Sequence, residues 1–507
     1  MTSTRARTLD LAQAGAILLV SLLWASPTGA AEGDQRLVDA VKRQDRAAVR
    51  ALLNQRADVK AVQPDGAGVL HWAAHWDDVE MAGWLIDAGA NVNAANDLGV
   101  TPLLVASTNA SAPMVDRLLA AGANPNAVSV GGESPLLVAS RAGNAAAVKA
   151  LLAKGAQVNA KEPVRGQTAL MWAVANRRGE VTRVLIAAGA DIHARSVVTP
   201  REYQTGSRYV AYDDVRFVVK VEEGGFTPLL FASRSGDVAS ADLLIAAGAK
   251  VDDPAPTGAT PLIVATHSGN SDVARLFLER GADPNAAGVG YTALHAAVLR
   301  GDVGLVDALV ARGARVDAPL ERGTPVRRYS QDFAFSADLI GATPFWLAAR
   351  YGDVPIMRAL AAAGADTRVV MQDGTNALII AVAASSGFGS GDRRERYLTP
   401  VEIAARVESD DERVTLETAK LALALGSDIN HTNRNGDTAL HLAAGQGLST
   451  VVQFLVEYGA ALDVKNKRGL TPLGVALQRQ RGEGGVTTPD DRREGAAALL
   501  RKLGAPE

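Results

Sequence analysis

The sequence predicts an all-α fold: a solenoid of about twelve helix-turn-helix units joined by finger-like loops. Three observations predict it. Turn glycines recur at Gly33, Gly66, Gly99, Gly132, Gly166, Gly225, Gly258, Gly290, Gly341, Gly374, Gly436 and Gly469, most neighbours lying 32 to 34 residues apart. A second series closes the units, at Gly89, Gly122, Gly155, Gly189, Gly248, Gly281, Gly313, Gly364, Gly426, Gly459 and Gly504. Between the two runs a repeated helix start, Thr101-Pro102-Leu103, Thr227-Pro228-Leu229, Thr260-Pro261-Leu262 and Thr471-Pro472-Leu473. A threonine hydroxyl caps a helix, and proline suits the first helical residue, whose N–H has no intrahelical partner.

Asn435 to Asn466 shows one unit whole. After the Asn435-Gly436 turn, Thr438 caps a helix whose Leu440, Leu442 and Ala443 share a face at helical spacing. A break at Gly445-Gln446-Gly447 leads to a second apolar run, Val451 to Val456, ended by Gly459 in the left-handed conformation glycine favours. A period near 33 residues with this content resembles the ankyrin repeat family. The resemblance runs through nearly all of the chain after its first 31 residues. It implies a binding scaffold whose partners dock on a concave side lined by finger turns and first helices.

Totals agree with a stack. Each unit packs only on its neighbours, so 507 residues need not divide into globular domains. Aromatic residues make up 5%, which suits thin, closely packed helix pairs. A formal net charge of −3 directs no strong field at nucleic acid or an anionic membrane. The absence of cysteine removes disulfides, thiol catalysis and thiolate metal sites.

Taken in order, residues 1–31 read as an export signal: Arg5 and Arg7, an apolar core from Ala14 to Trp24, then small residues to Ala31. That core is about eleven residues, where a membrane span needs about 20. A bacterial protein of the periplasm, or one secreted, is the expectation. The array is expected over 32–507, with an N-terminal cap at 33–65 rich in charge, its closing glycine replaced by Arg56. Residues 469–505 form the other cap. The period breaks at four places. Insertions near 196–224 and 319–340 follow closing glycines and should elongate fingers; the first is β-rich and consistent with a hairpin. The third, near 386–414, parts the two helices of one unit, with a short helix expected from Pro400 to Val407, and the fourth is a polar loop from Arg481 to Asp491.

Catalytic patterns are absent from the sequence. His71, His295 and His441 share one repeat position, where the resemblance implies a hydrogen bond to the neighbouring turn. His71 and His75 have zinc spacing, but Trp72 stands where a metalloprotease needs glutamate. Gly387 to Gly391 lacks the lysine of a phosphate loop, and Arg393, Arg394 and Arg396 read as a solvated face. No enzyme activity, cofactor or metal is expected.

Two sets of positions should face a partner: the residue before each turn threonine, and the pair after the Ala-Ala of each first helix. Among them Tyr, Trp and Arg carry interface energy best. The contact candidates are therefore His75, Trp76, Phe226, Arg234, Tyr291, Arg300, Arg350 and Tyr351. The competing role for these rings is to cover gaps beside the inserted fingers. Trp72, Trp172 and Trp346 are read as core. The expected function is a non-catalytic, monomeric scaffold binding an unidentified protein. Two alternatives stand beside it: a ligand-binding accessory or enzyme with a pocket built by the insertions, and an exported effector binding a host protein.

Overall fold

The computed structural model describes residues 35–204, 218–324, 335, 337–383, 408–478 and 491–506. The export signal, the expected helix at Pro400 to Val407, the arginine run and, up to its last residue, the polar loop from Arg481 to Asp491 lie outside them.

Each repeat folds as its local chemistry dictates. Thr227 accepts from the Leu230 N–H, Pro228 takes the first position, and the helix runs Pro228–Ser235. The same start builds Pro102–Thr108, Pro261–His267 and Pro472–Leu477. A tight turn follows, then a nine-residue second helix such as Val79–Asp87 or Val303–Ala311, capped by an aspartate that accepts from the third N–H. Every described glycine of the two sequence series has positive φ, from 63° to 104°. Arg56, standing for a closing glycine, takes φ 57°.

First helices pack on first helices and second on second, in sequence order, around one continuous core of Leu, Val and Ala. Fingers bond edge to edge through the backbone: Asp97 N–H to Asp65 O at 2.9 Å, Val130 to Leu98 at 2.8 Å, Val197 to Arg165 at 2.7 Å. Side chains add two further rows of bonds between units. Asn93 donates to Gly122 O (3.1 Å) and accepts from Asn124 N–H (2.7 Å); Asn126, Asn159, Asn285 and Asn430 repeat this bridge. Across the inter-helix turns, Asn109, Arg178, Asn270, Arg300 and Gln446 donate to carbonyls at or near the end of the preceding unit's first helix. Those carbonyls would otherwise be orphans.

The first insertion forms the hairpin its composition suggests: β1 (Val198–Gln204) pairs antiparallel with β2 (Val218–Gly224), Val198 opposite Gly224. The third departs from the expected boundaries. The second helix there begins within the insertion and runs Glu408–Ala424, 17 residues long. Its acidic start favours a helix N-terminus, and Glu412 accepts from the Thr450 N–H (2.7 Å) and hydroxyl (2.6 Å) of the next unit. Among the described residues no helix is long and apolar enough to cross a membrane.

At the N-terminal end Arg46 holds Asp78 through two bonds (2.9 and 3.0 Å) and reaches Glu80 at 3.2 Å. Arg50 lies 4.0 Å from the Trp84 ring centroid. The charge of the first unit thus clamps it to the second.

Candidate functional site

A corner runs along the molecule where fingers meet first helices, and its side chains are tied to both. Trp72, on the helix Val69–His75, donates its indole N–H to Gln63 of its own finger at 3.0 Å. One turn on, Trp76 stacks on it with centroids 6.5 Å apart, and His75 meets Trp76 edge-on at 4.6 Å. Lys42 of the preceding unit lies 4.9 Å from the Trp72 centroid. Trp76 remains 41% exposed, a large ring left in water at the end of a built cluster.

A second assembly of this kind occurs further along. Arg141 lies 4.9 Å from the Trp172 centroid while pairing with Glu133 of its finger at 3.1 Å. Pro163 stands where Gln63 served Trp72, so the Trp172 indole N–H has no acceptor. A cavity of about 330 Å³ opens beside it, lined by Gly131, Glu133, Val164, Arg165, Gln167 and Trp172. Buried Glu162, in its floor, is spent on the N–H groups of Val164, Arg165 and Gln167 at 2.7 to 3.0 Å. Trp72 and Trp172, expected in the core, are half-buried rings on this corner, each covered by a cation from the unit before. Trp346 is core as expected, and its N–H reaches Thr375 O at 3.3 Å, performing the histidine's task.

The remaining contact candidates divide. Arg234 is exposed, and Arg350 and Tyr351 are half-buried, Tyr351 packing against the core. Phe226 is half-buried and meets Phe231 edge-on at 5.8 Å. Tyr291 offers no ring to a partner. It is 8% exposed because Phe335, from the second insertion, covers it at 5.0 Å, and its hydroxyl lies 3.3 Å from His267 Nδ1. Burial raises its pKa. Arg300 is drawn into the stack, its Nε donating to His267 O at 2.7 Å. For these two, the role of closing gaps beside the inserted finger prevails.

Of the histidines at the shared repeat position, His71 and His441 are fully engaged in hydrogen bonds. His71 accepts from Gly68 N–H (3.0 Å) at Nδ1 and bonds Val100 O (2.9 Å) through Nε2, so it has no lone pair for a metal. His441 bonds Thr438 N–H and Leu470 O in the same way, at 3.1 Å each. In both, desolvation lowers the pKa, which keeps the ring neutral.

One surface was not foreseen. Leu98, Val130, Val164, Val197 and Val198 stand exposed on successive fingers, Val130 at 76% and Val164 at 73%. Leu98, Val130 and Val164 stand one or two residues ahead of Gly99, Gly132 and Gly166, a recurrence visible in the sequence. Together they form an aliphatic ridge leading to the hairpin, the kind of continuous apolar exposure that marks an interaction surface.

Comparison with known proteins bears on what such a surface is for. The family described as "Ankyrin repeats (3 copies)" matches residues 37–129, 105–196, 213–288 and 229–320, and "Ankyrin repeats (many copies)" matches 423–476. Ankyrin repeat and SOCS box protein 16 of Homo sapiens is 29% identical over 224 residues, 41% of this chain and 45% of that protein. B-cell lymphoma 3 protein homolog of Mus musculus is 27% identical over 294 residues, 57% and 55% of the two chains. The chain thus spans about half the length of these curated relatives. The human ASB11 ankyrin repeat domain is a similar solved structure, with a TM-score of 0.40, 26% identity, and coverage of 49% of this chain and 98% of that one.

Proposed function

The chain belongs to the ankyrin repeat family, and from that premise we propose that it binds a partner protein along the corner between fingers and first helices, the concave side in this family. Ankyrin repeats indicate a protein-interaction scaffold. The observation that carries the choice of face is the aromatic cluster of Trp72, His75 and Trp76, prearranged by Gln63 and Lys42 and ending in an exposed ring. An ordered ring loses little side-chain entropy when a partner covers it, which is why such groups dominate interface energies. Arg234, Arg350, Phe226 and the ridge from Leu98 to Val198 extend the contact; Tyr291 and Arg300 support it from beneath. The partner is a protein of the bacterial cell envelope, reached after export directed by residues 1–31.

Site-specific photo-crosslinking in cells tests this. A crosslinker at Trp76 or Arg234 is expected to capture a discrete partner, whereas one at Tyr458, exposed at the C-cap of a second helix, is not. Adducts from Tyr458 alone would place the interface on the opposite side. The N-terminal mass of the mature protein tests export: an intact Met1 on cytosolic protein contradicts it.

A further inference from the structure

We infer that the hairpin of the first insertion is a self-association element, through which two copies of this chain join β2 to β2 in an antiparallel, two-fold pair. The argument starts from which edge is free. Gly225 N–H donates to Val197 O (3.3 Å), which sets the register so that Thr199 with Glu223 and Arg201 with Val221 exchange the ladder bonds. The main-chain groups of Pro200 and Glu202 on β1, and of Lys220 and Glu222 on β2, therefore point outward. On β1 that outward row has a gap, because Pro200 has no N–H to offer. The root of β1 is also occupied, since Val197 already bonds Arg165 of the neighbouring finger. On β2 the outward N–H and C=O groups of Lys220 and Glu222 are intact, and among the described residues no strand pairs with them.

The charges then select the occupant. Lys220 pairs across the hairpin with Glu202 at 3.2 Å, and Arg201 with Glu223 at 3.3 Å. Glu222 lies opposite Pro200, and among the described residues the cations of the hairpin pair with Glu202 and Glu223 instead. When β2 meets a second copy of itself antiparallel about Val221, each Lys220 falls directly opposite the other copy's Glu222, in a pair that also exchanges backbone bonds. Shifting the register by two residues either way centres the pair on Lys220 against Lys220, or on Glu222 against Glu222. Like charges directly opposite destabilise a ladder, so the sequence specifies one register. The result is a closed, isologous contact, a four-stranded sheet in the order β1-β2-β2-β1. It also covers the intact β2 edge of a two-stranded hairpin, which alone is marginal in water. Self-pairing stands apart from the partner-binding reading, since it uses the hairpin edge and not the aromatic corner.

Sedimentation equilibrium of the full mature chain, from about 1 µM to about 1 mM, tests the inference. Wild type is expected to show a concentration-dependent monomer–dimer equilibrium. K220E and E222K each place like charges opposite and should weaken it roughly tenfold or more. Mixed in equal amounts, the two variants make every cross-copy pair opposite in sign, and a heterodimer should form at wild-type strength. Amide exchange at Lys220 and Glu222 should slow on dimerisation. A wild type monomeric over the whole range, single variants that associate as wild type does, or a mixture no stronger than its components would each overturn the proposal. A hairpin merely loosened by K220E would not be rescued by mixing, which separates lost folding from lost pairing.

Discussion

His295 illustrates what one substituted environment does to a repeated residue. Like its counterparts it accepts the N–H of its cap residue, here Thr292 at 3.2 Å, and it is wholly buried. Desolvation lowers its pKa to about 4. The unfolded chain takes up a proton near pH 6.5 and the folded one resists it until about 4. Stability should therefore fall as pH drops through that window, by about 3 kcal/mol at most. His295→Leu, matching Leu104 and Leu137 at the same position in other units, should flatten this dependence in urea midpoints measured from pH 7 to pH 4. Ala110 poses a backbone problem of similar locality. It holds φ 57° in the inter-helix turn, where Gly143, Gly236 and Gly301 serve in other units. Since a Cβ in the left-handed region costs about 1 kcal/mol, Ala110→Gly should stabilise by roughly that amount, read as slower exchange of its unit's amides.

At the scale of the element, the finger turns and the closing turns share a conformation but not surroundings. A Cβ at Gly122 would meet nothing within 4 Å, whereas one at Gly258 would lie 2.7 Å from the Gly288 carbonyl of the adjoining finger. Gly122→Ala should lose about 1 kcal/mol, from φ alone. Gly258→Ala should lose about 3 kcal/mol, because the neighbouring backbone must also move; equal losses in chemical denaturation would refute the distinction. Much at this scale was legible in the sequence because caps, prolines and glycines act within a few residues. The hairpin was legible too, from a β-rich run in an insertion that follows a closing glycine. What spans units was not. Tyr291 reads as an exposed finger residue until Phe335, 44 positions away, lies over it. Trp172 reads as core because helical spacing cannot reveal that Arg141 replaces a neighbouring apolar wall. The first turns of the helix from Glu408 were read as part of the insertion near 386–414, because their anchor, Thr450, belongs to the next unit. The asparagine bridges did carry a signal, in Asn91-Val92-Asn93 and Asn124-Pro125-Asn126, whose periodicity went unused.

The whole molecule is a one-dimensional stack, so its stability is a sum of units and the interfaces between them. The clamp of Arg46 on Asp78 and Glu80 lies at the surface, with Arg46 and Glu80 exposed and Asp78 largely covered, a way to finish an end without adding apolar surface. Interfaces differ along the chain. Where Asn93 bridges in both directions, Asp252 only accepts, from Asp283 N–H at 3.1 Å, and Asp317 only accepts from Asp366 N–H at 2.8 Å. Desolvation raises the pKa of Asp252, so its charged form burdens the folded state and the penalty grows as pH rises through the carboxylate range. Asp252→Asn should restore the missing donor and add about 1 kcal/mol near pH 7. The gain should shrink near pH 3, where the protonated acid already donates; a gain independent of pH would contradict this origin.

That uneven rim makes the ties between units alternate in strength along the solenoid. From Asn93 to Asn159 successive units are stitched by amides that pull both ways, and the span behaves as a rigid ruler whose spacing a ligand must match. Past Asp252 and again past Asp317 the stitch is single, so the superhelical pitch yields there at small energy. A guest that grips both halves would bend the molecule at those joints and leave the aromatic end undistorted.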